Sequence, residues 1–167
     1  MKTAASTKPR RRAVAERPTI PPPICYIESS ALVAAFLESD RTAQRAIRAP
    51  RRQITSALTV VEAHRAVRRG RQTGRLTAED ERAIVRGLET FARRCELVAV
   101  SDDVLRRAGR PFPIEPVRTL DAIHLATIEL LGEAPPLVTV ATQDRRVEDN
   151  ARALGYVVDA GLQGHNR

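Results

Sequence analysis

Four acids in this chain stand where a carboxylate serves chemistry better than solubility. Glu28 closes the apolar run Ile24-Cys25-Tyr26-Ile27, and Asp144 follows Val138-Thr139-Val140-Ala141-Thr142-Gln143. Glu62 lies in the apolar-faced segment around Val60-Val61, and Asp121 opens Asp121-Ala122-Ile123-His124-Leu125-Ala126. Two of the four follow strand-like runs, and in an open α/β sheet the carboxyl ends of the strands converge on one crevice. Carboxylates gathered there repel unless a proton or a divalent cation offsets them, and hard cations such as Mg²⁺ take oxygen ligands. The chemistry implied is metal-assisted attack on a phosphoester.

Each acid also has a plain structural reading. Asp121 and Asp144 fall in first turns of helices, where the macrodipole favours a negative charge by ~0.3–1 kcal/mol. Glu62 has Arg65 at i+3 as a salt-bridge partner. Glu28 can cap the helix that follows it, yet a long acid ending a buried strand loses water without gaining an evident cationic partner. His124, three residues beyond Asp121, is read as a packing or helix-surface residue, because no second histidine stands at ligand spacing. Two isolated cysteines exclude a four-cysteine zinc site.

The elements that must position these acids alternate. Ile24–Ile27, Gln53–Thr55, Leu97–Val100, Leu137–Val140 and Tyr156–Val158 read as short strands. Helical patterns cover Ser29–Glu38, Ala57–Arg69 with Val60, Val61, Ala63 and Val67 inward, and a segment capped by Thr77 that runs to about Arg93. Further helices are expected over Asp102–Ala108, over Leu120–Leu131 with Thr119 as cap and Gly132 as stop, and over Gln143–Leu154 closed by Gly155. Strands separated by helices imply parallel crossovers, hence an α/β fold with a mostly parallel sheet covered on both faces.

The chain has 167 residues, 43% hydrophobic and 29% charged, enough for one domain with a full core. No apolar stretch approaches the ~18 residues of a membrane span, and no signal-peptide pattern opens the chain. Cys25 and Cys95 both adjoin apolar segments and are expected as buried free thiols, compatible with a cytoplasmic location. Of the net charge of +8, the first 22 residues hold six basic residues and one acid. That segment, with Lys8-Pro9-Arg10-Arg11-Arg12 and Pro21-Pro22-Pro23 at its end, has too little apolar surface to offset its ordering entropy. The expected organisation is a disordered basic tail over 1–22, a single folded domain over 23–160 and a short tail over 161–167.

The order of these segments resembles the PIN-domain ribonucleases, most closely the VapC toxins of prokaryotic toxin–antitoxin pairs. The resemblance spans Ile24 to Val158. It rests on Tyr26-Ile27-Glu28-Ser29-Ser30-Ala31-Leu32, Ser56-Ala57-Leu58-Thr59-Val60-Val61-Glu62, Leu120-Asp121-Ala122-Ile123-His124-Leu125-Ala126-Thr127 and Thr142-Gln143-Asp144-Arg145-Arg146. It implies a three-layer α/β/α sandwich and an endoribonuclease whose catalytic acids are Glu28, Glu62, Asp121 and Asp144. Glu28, Asp121 and Asp144 would hold Mg²⁺ or Mn²⁺, Ser30 would support the first acid, and Arg145 and Arg146 would draw in the RNA backbone. The family's first acid is usually Asp, so Glu28 is a departure. A cognate antitoxin and a homodimer are the implied partners.

With two tyrosines, three phenylalanines and no tryptophan, platforms for base stacking are scarce, so recognition should rest on RNA shape and backbone. Two other acid-rich or nucleotide-using classes fail. A phosphoacceptor domain needs a late lysine, and none follows Lys8; a nucleotide-binding enzyme needs G-x-G-x-x-G or G-K-[ST], and neither occurs. The remaining alternative is a catalytically decayed PIN-fold module that binds RNA or protein. The nuclease reading predicts that Asp121→Asn abolishes RNA cleavage, since a neutral amide is a poor ligand for a hard cation. The helix would lose at most ~0.3–1 kcal/mol of dipole interaction. Retained cleavage by a folded variant would remove Asp121 from the site.

Overall fold

A computed structural model describes residues 23–159. The expectations for 1–22 and 161–167 lie outside the described residues. Five strands, β1 Ile24–Ile27, β2 Arg52–Ser56, β3 Glu96–Val98, β4 Val138–Ala141 and β5 Val157–Val158, form one sheet in the order β3-β2-β1-β4-β5. Every pairing is parallel, with Tyr26 of β1 facing Ile54 on one side and Val140 on the other. Among the described residues seven α-helices surround it: α1 Ser29–Leu37, α2 Arg41–Arg48, α3 Ala57–Gln72, α4 Ala78–Ala92, α5 Asp102–Ala108, α6 Thr119–Glu129 and α7 Arg145–Ala153. None is long and apolar enough to cross a membrane.

The unbroken apolar run of β1 follows from cover on both sheet faces. Successive side chains of a strand point to opposite faces. Ile24 and Tyr26 accordingly pack into a core with residues of α5, α6 and α7, such as Val104, Leu125 and Val147. Cys25 and Ile27 pack into a second core with α1 to α4, including Leu32, Ala43, Val67 and Leu88. The layers are therefore α/β/α, as the strand–helix alternation implies, and the sheet is wholly rather than mostly parallel.

Several expected boundaries move, each for a local reason. Helix α2 was not foreseen: its buried face is only Ala43, Ala46 and Ile47, too small a stripe to stand out. Asp40 caps it, Oδ1 accepting from the amides of Thr42 and Ala43 at 2.8 Å each. Helix α3 does not stop before Gly70 but passes through it. A Cβ there would lie 2.9 Å from Leu76 Cδ1, so this glycine permits close approach and not a helix end. Val61 does not face inward: it is 59% exposed, and the buried line of α3 is Thr59, Ala63, Val67 and Gly70. Thr119 is the first residue of α6 and not its cap, which is Arg118 without a side-chain bond. Asp144 caps α7 from outside, where a helix from Gln143 was expected. Edge strand β3 ends at Val98, short of Val100. Capping by Thr77 and Asp80 matches the reading in full, with both reciprocal bonds formed. Both cysteines are free, Cys25 buried and Cys95 only partly so.

Within the segment between α5 and α6, Glu115 accepts the amides of Phe112 and Val117, and a side chain the sequence did not mark ties the segment to α7. Asn150 of α7, 1% exposed, accepts from the Ile114 amide at 3.0 Å and donates to the Ile114 carbonyl at 2.9 Å, as a neighbouring strand would. Its Nδ2 also donates to the Arg146 carbonyl at 3.1 Å. Replacing it removes three part-buried hydrogen bonds, worth roughly 0.5–1.5 kcal/mol each. Asn150→Ala is expected to lower the unfolding free energy by roughly 1–3 kcal/mol, measured by urea titration followed by circular dichroism. An unchanged midpoint would show that water substitutes freely for the amide.

Candidate active site

The strand order reverses at β1: β2 lies on one side of it and β4 on the other. In open parallel sheets such a switch point leaves a crevice at the carboxyl ends, because the two connecting helices diverge to opposite faces. Glu28 stands at that point. Its amide donates to Ala141 O at 3.0 Å, extending the β1–β4 ladder by one bond beyond the strand. Its side chain is almost wholly buried, at 3% residue exposure, and would be costly there without donors.

Four donors supply it. Ser29 Oγ bonds Oε1; the Ser30 amide at 2.9 Å, Ser30 Oγ and Thr142 Oγ1 at 2.9 Å all bond Oε2. Ser30 Oγ spends its proton on Glu28 and accepts the amides of Gln143 at 2.7 Å and Asp144 at 3.2 Å. Thr142 Oγ1 accepts the Asp144 amide as well, at 3.1 Å. The expected support of the first acid by Ser30 is thus present, and Ser30 also ties the start of α1 to the start of α7. Glu28 is at the same time the N-cap of α1, so its plain structural reading and its place in the acid cluster coexist.

Glu62 projects from α3 and does not pair with Arg65. Its Oε2 lies 2.7 Å from His124 Nε2. His124, 1% exposed, sits 3.6 Å from Glu28 Oε1 through the same nitrogen, and its Nδ1 is 2.8 Å from the Tyr26 hydroxyl. One ligand atom each from Glu28, Glu62 and His124 lies within 4.8 Å of the other two. The reading of His124 as a packing residue is right about its burial and misses its contacts. Tyr26 and Thr142 were missed as well. Tyr26 precedes Glu28 by two, which is the same-face spacing on a strand, and Thr142 precedes Asp144 by two. Spacing alone could have suggested both.

Asp121 and Asp144 stand outside that trio but are coupled to it. Burial pushes the Asp121 carboxyl up first, and the negative charges of Asp144 and Glu28 push it further; Arg118 and His124 act the other way. Asp121 Oδ2 is buried with no hydrogen-bond partner among the described residues. Asp144 Oδ1 accepts the Arg146 amide at 2.8 Å, and its own amide is held by Ser30 and Thr142. Arg145 has a side chain 90% exposed and 3.6 Å from Asp149, while Arg146 is exposed beside it. Neither arginine reaches an acid of the cluster.

An orphaned buried carboxylate oxygen, in the field of two further carboxylates and within an oxygen-rich donor set, suits a hard divalent cation. All four sequence-marked acids therefore meet at one end of the sheet, contributed by β1, α3, α6 and the β4–α7 turn.

Comparisons with known proteins identify the family and the fold. The PIN domain family pattern matches residues 25–153. Ribonuclease VapC35 of Mycobacterium tuberculosis is 36% identical over 139 residues, covering 81% of this chain and 95% of that protein. Ribonuclease VapC46 of the same organism is 37% identical over 138 residues, with the same coverage of 81% and 95%. Among solved structures, VapBC2 from Rickettsia felis, bound to a DNA fragment from their promoter, superposes with a TM-score of 0.57 at 11% identity, covering 81% of this chain and 97% of that chain. PAE2754 from Pyrobaculum aerophilum superposes with a TM-score of 0.51 at 22% identity, covering 78% and 96%.

The raised Asp121 carboxyl has a stability consequence. An acid raised by folding holds its proton more tightly in the native state than when unfolded. Native stability therefore falls as pH climbs from the ordinary aspartate range through the raised value. Asp121→Asn cannot ionise and escapes that loss. With a chelator present, the variant is expected to unfold later than the parent at neutral pH and to match it more closely in acid, by urea titration at several pH values. A pH-independent difference between the two would show that Asp121 is not strained by its neighbours.

Proposed function

The chain belongs to the PIN-domain family and is homologous to the VapC ribonucleases, and on that premise we propose that it is a VapC-type ribonuclease, the toxin of a toxin–antitoxin module. One observation carries the assignment of chemistry: Glu28, Glu62, Asp121 and Asp144 meet at the sheet switch point, where Asp121 Oδ2 is buried without a partner. The reaction is hydrolysis of RNA phosphodiesters.

In this proposal Glu28, Asp121 and Asp144 hold one or two ions, Mg²⁺ or Mn²⁺, and Glu62 completes the shell directly or through water. The bound ion supplies a Lewis acid for the phosphodiester and an activated water. The chain's own work is positional. Ser30 and Thr142 orient Glu28 and fix the turn that carries Asp144, and the start of α6 presents Asp121. Arg145 and Arg146, exposed at the entrance to α7, attract the phosphate backbone. A crevice of carboxylates would otherwise repel RNA, so cation binding and substrate binding are linked by electrostatics alone. A catalytically decayed module is disfavoured because all four acids are present and converge.

A cognate antitoxin is the expected protein partner, in keeping with solved relatives such as VapBC-1 from nontypeable Haemophilus influenzae, whose TM-score is 0.51. Its docking groove would lie between α1 and α3, where Val33 and Leu37 of α1, Ala66 of α3 and Leu76 of the α3–α4 connection line a cleft edged by Glu38, Arg69 and Arg75. Homodimerisation and a cytoplasmic location belong to the same proposal.

Glu28 sets the test. Its carboxylate sits one methylene farther from the backbone than that of an aspartate, and Mg²⁺ tolerates displaced ligands poorly. Purified protein is expected to cleave RNA, to lose all cleavage in EDTA, and to recover with Mn²⁺ at least as well as with Mg²⁺. Glu28→Gln should be inactive and Glu28→Asp should retain or gain activity. Cleavage unaffected by EDTA would overturn the metal-dependent reading, and full activity of Glu28→Gln under limiting metal would remove Glu28 as a ligand.

A further inference from the structure

The buried chain Tyr26–His124–Glu62 is not explained by packing alone. Three polar side chains from β1, α6 and α3 meet with both imidazole nitrogens committed, at 2.8 Å to the Tyr26 hydroxyl and 2.7 Å to Glu62 Oε2. Tyr26 is fully buried and His124 is 1% exposed, so water cannot easily replace either bond. The rings meet edge-on, with centroids 6.2 Å apart at 69°, which fixes the imidazole plane.

The proton positions follow from the partners. Glu62, as a carboxylate, only accepts, so the hydrogen on that bond is on His124 Nε2. A tyrosine hydroxyl donates at neutral pH, so Nδ1 is free to accept from Tyr26. If the imidazole carried a second proton, Nδ1 would donate to the Tyr26 oxygen instead, and Nε2–H would still point at Glu62. In either state the Nε2 lone pair is used, and the same N–H lies 3.6 Å from Glu28 Oε1. Although Glu28, Glu62 and His124 satisfy ligand spacing, His124 is therefore the hydrogen-bond donor of the trio.

We propose that His124 is a positioning residue for Glu62: its Nε2–H holds the α3 carboxylate beside Glu28, and Tyr26 fixes the tautomer that makes this possible. The inference rests on the nuclease reading for its kinetic consequence, but its structural content stands apart from it. Two carboxylates from separate elements would otherwise turn away from each other. The Nε2 proton lies between them and offsets part of their repulsion, while Glu62 Oε1, with no partner among the described residues, is left to act. Residues that orient a site through a second contact typically change metal affinity or activity by roughly 10–100-fold when removed.

The test uses the full chain and three substitutions. His124→Leu removes the donor and keeps an apolar side chain of moderate size. His124→Gln keeps an N–H of similar reach but no ring. Tyr26→Phe keeps the strand packing and frees Nδ1. Nitrogen-15 spectra of the metal-free parent should show His124 protonated at Nε2, and Tyr26→Phe should shift it towards a mixture of tautomers. In cleavage assays with Mn²⁺, His124→Leu should lower kcat by roughly 10–100-fold with little change in KM, and His124→Gln should recover most of it. Adding His124→Leu to Glu62→Gln should cost little beyond Glu62→Gln alone, because both changes act through one carboxylate.

A parent protonated only at Nδ1, a Leu variant as active as the parent, a Gln variant no better than Leu, or fully multiplicative losses in the double variant would each overturn the proposal. If His124→Leu fails to fold, the tautomer spectra and the Gln and Phe variants decide alone. If the parent cleaves no RNA at all, the nuclease reading fails, and the spectra with Mn²⁺ titrations of the variants still decide whether His124 positions Glu62.

Discussion

Burying a glutamate carboxylate at the reversal point of a parallel sheet imposes conditions that reach four elements. Glu28 needs donors, and the nearest backbone at its end of the sheet offers only the Ser30 amide. The remaining bonds come from three hydroxyls, Ser29, Ser30 and Thr142. Because Ser30 Oγ and Thr142 Oγ1 also take the Asp144 amide, the β4–α7 turn cannot move without unmaking the solvation of Glu28. The first residues of α1 and α7 are thereby clamped to the strands β1 and β4. Net hydrogen bonds of this kind are worth about 0.5–1.5 kcal/mol each, but leaving a buried charge unpaired costs more. Geometry here is enforced by the penalty for losing a bond.

Charge is the second constraint. Glu28 caps α1, Asp144 caps α7 and Asp121 lies in the first turn of α6, so three helix dipoles present their positive ends to the cluster. Each contributes roughly 0.3–1 kcal/mol. Glu28 and Glu62 bring carboxylate oxygens within 4.8 Å of each other, and unit charges at such a spacing repel by at least about 3 kcal/mol at an effective dielectric constant of ~20. The dipoles therefore soften the cluster without neutralising it. The Asp121 carboxyl is raised first by its burial and then by the charges of Asp144 and Glu28, which is where that imbalance shows. A cation is the economical remedy, and the His124 proton is the local one between Glu28 and Glu62.

Much of this was legible in the sequence, and the reasons differ by element. The β1 run is apolar at four successive positions, which only a strand covered on both faces explains, and its register places Glu28 at the carboxyl end. The α4 capping box and the α5 boundaries are encoded within a few residues, so local rules suffice. What escaped was set by partners far along the chain. Thr142 meets Glu28 across 114 positions, and His124 meets Glu62 across 62. No local pattern announces such pairs. Glu62 offered Arg65 as a neighbour on its own helix, and tertiary packing chose His124 instead. Helix α2 escaped for a smaller reason: alanines bury little surface, so its inward stripe is faint against five polar residues.

Glutamate in place of the family's usual aspartate can be understood from the same contacts. A short acid at the end of β1 could cap the Ser30 amide, as an N-cap aspartate does through a five-atom reach. The longer arm of Glu28 performs that cap and spans to Thr142, just past the neighbouring strand β4, with the same oxygen, Oε2. Its second oxygen is then turned to Ser29 and towards His124, 3.6 Å away. The extra methylene thus moves the carboxylate away from the backbone of β1 and towards α3 and α6, where an imidazole donor stands between two acids. A histidine at position 124 is compatible with that displacement, since it brings a proton to the place where two glutamates approach. Residues 28, 62 and 124 therefore form one electrostatic unit, and exchanging any one of them changes what the other two must satisfy.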